Sequence, residues 1–188
     1  MKRVVVLVSG SGTLLQALVD AQTAPGENLD AEVVAVVCDQ PQAYALVRAR
    51  KAGVPIAVHP LAGDRAVWDA ELADIVGSFS PDLIVCAGFM RILGPAFLAR
   101  FAGRTINSHP SLLPSFPGTH AVRDALAYGV KVTGASVFIV DEGVDTGRIL
   151  AQEAVRVVGG ETEDELHERI KVVERRMLVD IVNEWRIG

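Results

Sequence analysis

Three short apolar runs, Val4 to Val8, Glu32 to Val37 and Leu83 to Cys86, are rich in β-branched residues and do not alternate with polar ones. A strand with one wet face alternates; a strand covered on both faces does not. These runs therefore predict interior strands of a parallel sheet. Segments of helical length and spacing separate them: Leu14, Leu15, Leu18 and Val19; then Ala43 to Ala52, closed by Gly53; then Val67, Leu72, Ile75 and Val76, closed by Gly77. Val54 to Val58 reads as another strand. The resulting βαβαβαβ order requires helices on both faces of the sheet and right-handed crossovers.

After Pro81 the pattern changes. A short helix is expected near Pro95 to Arg100, then an extended piece at Thr105 to Asn107. A loop from Ser108 to Gly118 follows, with three prolines. So irregular a loop inside a compact domain is usually functional. Beyond it, Val132 to Val140 and Ile149 to Val158 read as strands joined by Asp141 to Arg148, and Thr162 to Trp185 as a long amphipathic helix. The expected fold is α/β: a Rossmann-like, mostly parallel sheet flanked by helices, with the second half extending the same sheet. With 188 residues and no repeat or linker, the chain reads as one domain, residues 1–188. Its two halves, about 1–100 and about 101–188, meet where the pattern changes.

Charge narrows the partners. Eighteen Lys plus Arg against 23 Asp plus Glu give a net charge of −5, which argues against a general affinity for nucleic acid or anionic membranes. No uncharged apolar stretch approaches the roughly 20 residues of a membrane span. The opening Met1-Lys2-Arg3 and five apolar residues imitate a signal peptide only briefly before Ser9-Gly10-Ser11-Gly12 interrupts them. Cys38 and Cys86 lie in apolar runs without metal or redox spacing, and read as reduced core residues of a cytoplasmic protein.

Four stretches carry candidate chemistry. Ser9-Gly10-Ser11-Gly12-Thr13 lies where the first strand hands over to the first helix, so its N–H groups and the helix N-terminus can hold a phosphate. By itself it fits a plain tight turn equally well, and Leu15 stands where a dinucleotide fingerprint needs its third glycine. Asp39, ending the second strand, suits a ribose ligand in a dinucleotide site, or a turn or helix cap. Ala87 to Leu93 leaves the carboxyl end of the fourth strand, where open parallel sheets bind ligands, although its apolar side chains also suit a core. Asn107-Ser108-His109-Pro110 opens the proline-stiffened loop. A lone His is usually structural; Asp145, in the second irregular loop, lifts this one by offering an opposite charge that orients the imidazole and favours its charged form. His59, His120 and His167 have no metal-ligand spacing, so no metal is expected.

Together these stretches resemble the folate-dependent phosphoribosylglycinamide formyltransferases of purine synthesis. The likeness runs from Val4 to about Trp185 and rests on SGSGT, AGFMRIL at 87–93, NSHPSLLPSFPG at 107–118 and DEGVDTG at 141–147. It implies formyl transfer from 10-formyltetrahydrofolate, as cosubstrate, to the amine of glycinamide ribonucleotide. It also implies an active site between the two halves of the sheet, and allows a homodimer. Asn107, His109 and Asp145 resemble the catalytic trio, and Ser11, Gly12 and Thr13 the substrate-phosphate loop. Glu174 and Lys171 resemble further ribonucleotide contacts, and Arg65, Met90, Arg91, Ile92, Leu93 and Asp141 folate contacts. One departure is Leu14, where some members have an asparagine, so phosphate contacts here fall to the backbone.

Attack of an amine on a formyl carbon makes a tetrahedral oxyanion, which calls for fixed donors such as the Asn107 amide and a protonated His109. Rival readings are a methionyl-tRNA formyltransferase or a 10-formyltetrahydrofolate deformylase, which normally carry additional domains not expected in this chain. A dinucleotide-dependent oxidoreductase and a non-catalytic nucleotide-binding module are the rivals outside this chemistry.

Overall fold

The computed structural model describes residues 1–23 and 29–186. Its elements are β1 (Lys2–Val8), α1 (Thr13–Thr23), β2 (Ala31–Cys38), α2 (Tyr44–Lys51), β3 (Ile56–Val58), α3 (Arg65–Ser78), β4 (Leu83–Cys86), α4 (Pro95–Phe101), β5 (Thr105–His109), α5 (Ala121–Tyr128), β6 (Val132–Ile139), β7 (Ile149–Arg156) and α6 (Glu163–Glu184). One seven-stranded sheet runs in the order β3-β2-β1-β4-β5-β6-β7. The first five strands are parallel, and β6 and β7 are antiparallel extensions. The fold is the mostly parallel α/β sheet that the sequence predicts.

The absence of alternation in β1 now has its cause. Val4, Val6 and Val8 belong to a core built with α1, α2 and α6, whereas Val5 and Leu7 belong to a second core on the other face built with α3 and α4. Both faces are dry, so every position is apolar. Buried Lys2 ties the two ends of the chain together. Its Nζ donates to the carbonyls of Val182, Asn183 and Trp185 at 2.9, 2.7 and 3.1 Å, placing a positive charge at the C-terminus of α6. At the other end of α6, Thr162 and Glu165 form a reciprocal capping box.

Three local expectations change. Gly77 does not close α3, which continues to Ser78 with Phe79 as its C-cap. A Cβ at Gly77 would stand 2.1 Å from Arg100 Nη2, so this glycine makes room for Arg100 rather than ending a helix. The third strand is shorter than Val54 to Val58, starting at Ile56. Finally, Ala121–Tyr128 is a helix that the sequence reading left unassigned; Ala121, Val122 and Ala125 are buried and Gly129 closes it in the left-handed region.

β1 pairs with β2 on one side and with β4 on the other. The chain therefore leaves β1 and β4 towards opposite directions across the sheet, and the crevice beyond their carboxyl ends is where such sheets bind ligands. Into that crevice run Ser9 to Thr13 after β1, Ala87 to Leu93 after β4, and the end of β5.

Candidate active site

A cleft of about 470 Å³ opens there. Its wall gathers the 10–14 loop, residues 86–93, Asn107 to Pro110, part of the 138–145 segment, and His167, Lys171 and Glu174 from α6. Every site residue expected from the sequence lines it except Arg65. That guanidinium instead lies 4.4 Å from the Trp68 ring centroid and donates from Nη2 to the carbonyl of Ile92, gripping the cleft wall from behind.

The 9–13 loop is shaped by what lies under it. Gly12 has φ +73°, and a Cβ there would meet Ala45 Cβ at 2.7 Å and its Cα at 2.8 Å. Only glycine lets the loop lie this close to α2. From α2, Ala45 N donates to Gly10 O at 3.1 Å, and Arg48 Nε to Ser11 O at 2.9 Å. The backbone N–H of Gln16 bonds to Gly12 O at 2.9 Å. The preceding amides of the first turn lack intrahelical acceptors and form the positive end of α1. Leu14 is buried in the core beneath and lines the cleft as well.

Residues 88–93 have no regular secondary structure. Met90 N donates to Ser9 Oγ at 2.8 Å, and Arg91 Nε donates to Asp39 Oδ2 at 2.6 Å. Met90 and Ile92 stand 67% and 62% exposed, far more than a core role allows. The competing reading of these two as core residues is therefore excluded, although Leu93 is buried against α3 and α4.

Asn107 is half-buried, and its side-chain amide has no hydrogen-bond partner among the described residues. His109 is buried between two loops. Its Nδ1 lies 3.5 Å from Asp145 Oδ2, and its Nε2 lies 2.8 Å from Phe116 O. Both ring nitrogens face oxygen atoms, so the ring is held from two sides. Asp145 Oδ2 also accepts from Gly118 N at 2.7 Å, which ties the 108–118 loop to the 140–147 loop.

The partners of His109 are held in unusual backbone. Among the described residues only Ser80, Phe116 and Asp145 combine a side chain with positive φ; Phe116 has +54° and Asp145 +55°. A bulky residue in the left-handed region costs of the order of 1–3 kcal/mol, and such outliers concentrate at functional sites. Two of the three therefore flank one histidine. Asp141 serves this loop as well, its Oδ1 accepting from Gly143 N at 3.0 Å and Thr146 Oγ1 at 2.8 Å.

On α6, Glu174 is 5% exposed and accepts from Ser108 Oγ at 2.6 Å. Burial pushes its carboxyl above the usual carboxylate range, while the Ser108 hydrogen bond and the charges of Lys171 and Arg175 pull the other way. Lys171 Nζ reaches Glu168 at 2.7 Å. His167, which sequence reasoning set aside for lack of metal spacing, also lines the cleft. Burial, then Lys171, lowers its pKa against the opposing pull of Glu168, Glu163 and Asp164. The signal for it was its place one helical turn before Lys171. Among the described residues no group of three His, Cys, Asp or Glu side chains could hold a metal ion.

The cleft thus combines a backbone anion cradle, an irregular wall for a second ligand, an uncommitted amide and a His–Asp pair, which is what acyl transfer between two bound substrates needs. Comparison with known proteins agrees. The chain is 55% identical over 185 residues to a phosphoribosylglycinamide formyltransferase of Mycobacterium tuberculosis, a match covering 96% of this chain and 83% of that protein. Its structure is similar to that of glycinamide ribonucleotide transformylase 1 from Symbiobacterium toebii, with a TM-score of 0.93 at 42% identity over 97% of this chain and 86% of that one. The corresponding protein of Geobacillus kaustophilus gives 0.93 at 40% identity, with both chains fully covered. Residues 2–182 match the family described as formyl transferase, and on all these grounds the chain belongs to that family.

Proposed function

We propose that this enzyme transfers the formyl group of 10-formyltetrahydrofolate to the amine of glycinamide ribonucleotide, a step of de novo purine biosynthesis. The observation that carries this reading is the strained double clamp on His109 at a cleft that also holds a helix-end anion cradle. The relatives named above support the choice of substrates.

In this reading Ser11, Gly12 and Thr13 hold the ribonucleotide phosphate through backbone N–H groups, and Lys171 and Glu174 contact the rest of that substrate. Met90 to Leu93, with Asp141 and Arg65 in support, hold the folate. The amine lone pair attacks the formyl carbon; a C–N bond forms and the carbonyl electrons move to oxygen. Asn107 and His109 donate to that oxyanion. For His109 this means exchanging the Phe116 carbonyl for the substrate oxygen, while Asp145 holds the ring in register. Collapse then breaks the bond from carbon to the folate nitrogen, which takes the proton lost by the amine. No protein nucleophile takes part. Residues of about 1–100 contribute the binding loops and residues of about 101–188 the catalytic ones, in a cytoplasmic setting that suits the free, buried Cys38 and Cys86.

The test is a steady-state assay with 10-formyltetrahydrofolate and glycinamide ribonucleotide. Formylated ribonucleotide and tetrahydrofolate in equal amounts are expected. Formate release independent of the ribonucleotide, or transfer to methionyl-tRNA instead, would redirect the reading within the family. Calorimetric binding of NAD in place of folate would overturn it.

A further inference from the structure

Asp39 is the one residue singled out by the sequence that the proposed reaction does not use. Its ribose-ligand and helix-cap readings do not fit, whereas a place at the start of a turn does. The N-cap of α2 is Ala43, with no side-chain cap, so Asp39 does not start that helix. Its side chain is fully buried, so it is not a ribose ligand at a surface crevice. Its Oδ2 instead accepts from Arg91 Nε at 2.6 Å and from Gln40 Nε2 at 3.1 Å, while Oδ1 has no partner among the described residues.

A buried carboxylate with one oxygen unpaired is expensive, and packing alone does not call for one. What Asp39 holds is more informative. Residues 90–92 have no ladder to either side and expose Met90 and Ile92 to the cleft, so side chains must fix their course. Three do so: Ser9 at the end of β1 takes Met90 N, Arg65 at the start of α3 takes Ile92 O, and Asp39 at the end of β2 takes the Arg91 side chain between them. Of the three tethers only the Asp39 contact is an ion pair, and only its acceptor is wholly buried. An anchor whose acceptor is fully buried transmits position better than an exposed one because water competes poorly for that acceptor.

We propose that Asp39 is a positioning residue for the folate-binding segment: through Arg91 it fixes the backbone of Met90 to Leu93 in the course that reads the cosubstrate. This rests on the folate reading of that segment. Asp39 touches no substrate, so its effect is on cosubstrate affinity rather than on the ribonucleotide.

Asp39→Asn keeps the shape and removes the charge. It is expected to raise the KM for 10-formyltetrahydrofolate roughly 10-fold, with the KM for glycinamide ribonucleotide within about twofold. In the ligand-free enzyme the amides of Met90 to Leu93 should exchange faster with solvent. Arg91→Lys keeps a positive charge facing Asp39 but loses the Nε–Oδ2 hydrogen bond, and so reads the same split even if Asp39→Asn folds poorly. Because both changes break one tether, the double variant should be little worse than the stronger single. Equal rises in both KM values, a loss of thermal stability with neither KM moved, or multiplying effects in the double variant would each overturn the role. The folate reading is tested separately in the wild type. If tetrahydrofolate fails to shield the amides of Met90 to Leu93, that reading falls; if it shields them and the variants show no split, only Asp39 does.

Discussion

The 9–13 and 88–93 segments and the 108–118 and 140–147 loops border the same cleft but are built on different principles. The first pair leaves the carboxyl ends of parallel strands β1 and β4, in the crevice that the strand order creates. What they present is mainly backbone: the N–H groups of a helix end and of an irregular wall. The second region presents side chains, Asn107 and His109 from the end of β5 and Asp145 from the 140–147 loop, and holds them with left-handed Phe116 and Asp145 and with contacts between loops. A backbone cradle can be placed by sheet topology alone, whereas a His–Asp pair needs angular precision that topology does not supply. The contrast implies a division of labour. Damage to the first pair should appear in KM, and damage to the second in kcat.

The hardest test of that division is Asp145→Asn, which keeps the shape of the His109 partner and removes its charge. A fall in kcat at pH 7 of roughly 10² or more is expected, about 2.7 kcal/mol of barrier, with the ribonucleotide KM nearly unchanged. His109→Ala should lose at least as much, and the double variant little more, because residues that act as a unit are not additive. Near-normal kcat in Asp145→Asn would break the comparison at its strongest point.

Gly12→Val tests the other side. The new side chain would collide with Ala45 and sit at an unfavourable φ, so the loop must move off α2. The ribonucleotide KM should rise by roughly 10-fold or more while the folate KM stays within a few-fold, as measured by varying each substrate in turn. Matching changes in both would mean that the loop supports the whole crevice rather than one ligand.

Glu174 sharpens the comparison, because it joins the two regions: it lines the cleft from α6 and accepts from Ser108 on β5. Burial holds its pKa above the unfolded value, so the folded state binds more protons. Stability from this group is present below the usual carboxylate range and lost as pH rises through the raised value. Glu174→Gln removes that dependence. A calorimetric melt near pH 8 should show Tm higher by about 2–4 °C, the effect of ~1 kcal/mol on a chain of this size. The same variant should raise the ribonucleotide KM a few-fold. A Tm that falls equally at acid and alkaline pH would show that the Ser108 contact, not the buried charge, dominates.

The sequence by itself determined the parallel sheet, the long last helix and the stretches that line the cleft. Val4 to Val8 is apolar throughout because two cores cover it, and periodicity reports burial directly. The resemblance supplied Glu174 and Lys171, which no local signal connects to residues 60 and more positions earlier. Tertiary structure decided the rest. Gly77 looked like a helix stop because sequence cannot show the Arg100 side chain lying against it. Asp39 looked like a ribose ligand or cap because its partner, Arg91, is 52 positions away. The Phe116 carbonyl on His109 is a backbone group, which no side-chain pattern announces. The common reason is range: periodicity and turn chemistry are fixed by neighbours in the chain, whereas who faces whom across a crevice is fixed by strand order and by the loops that packing brings together.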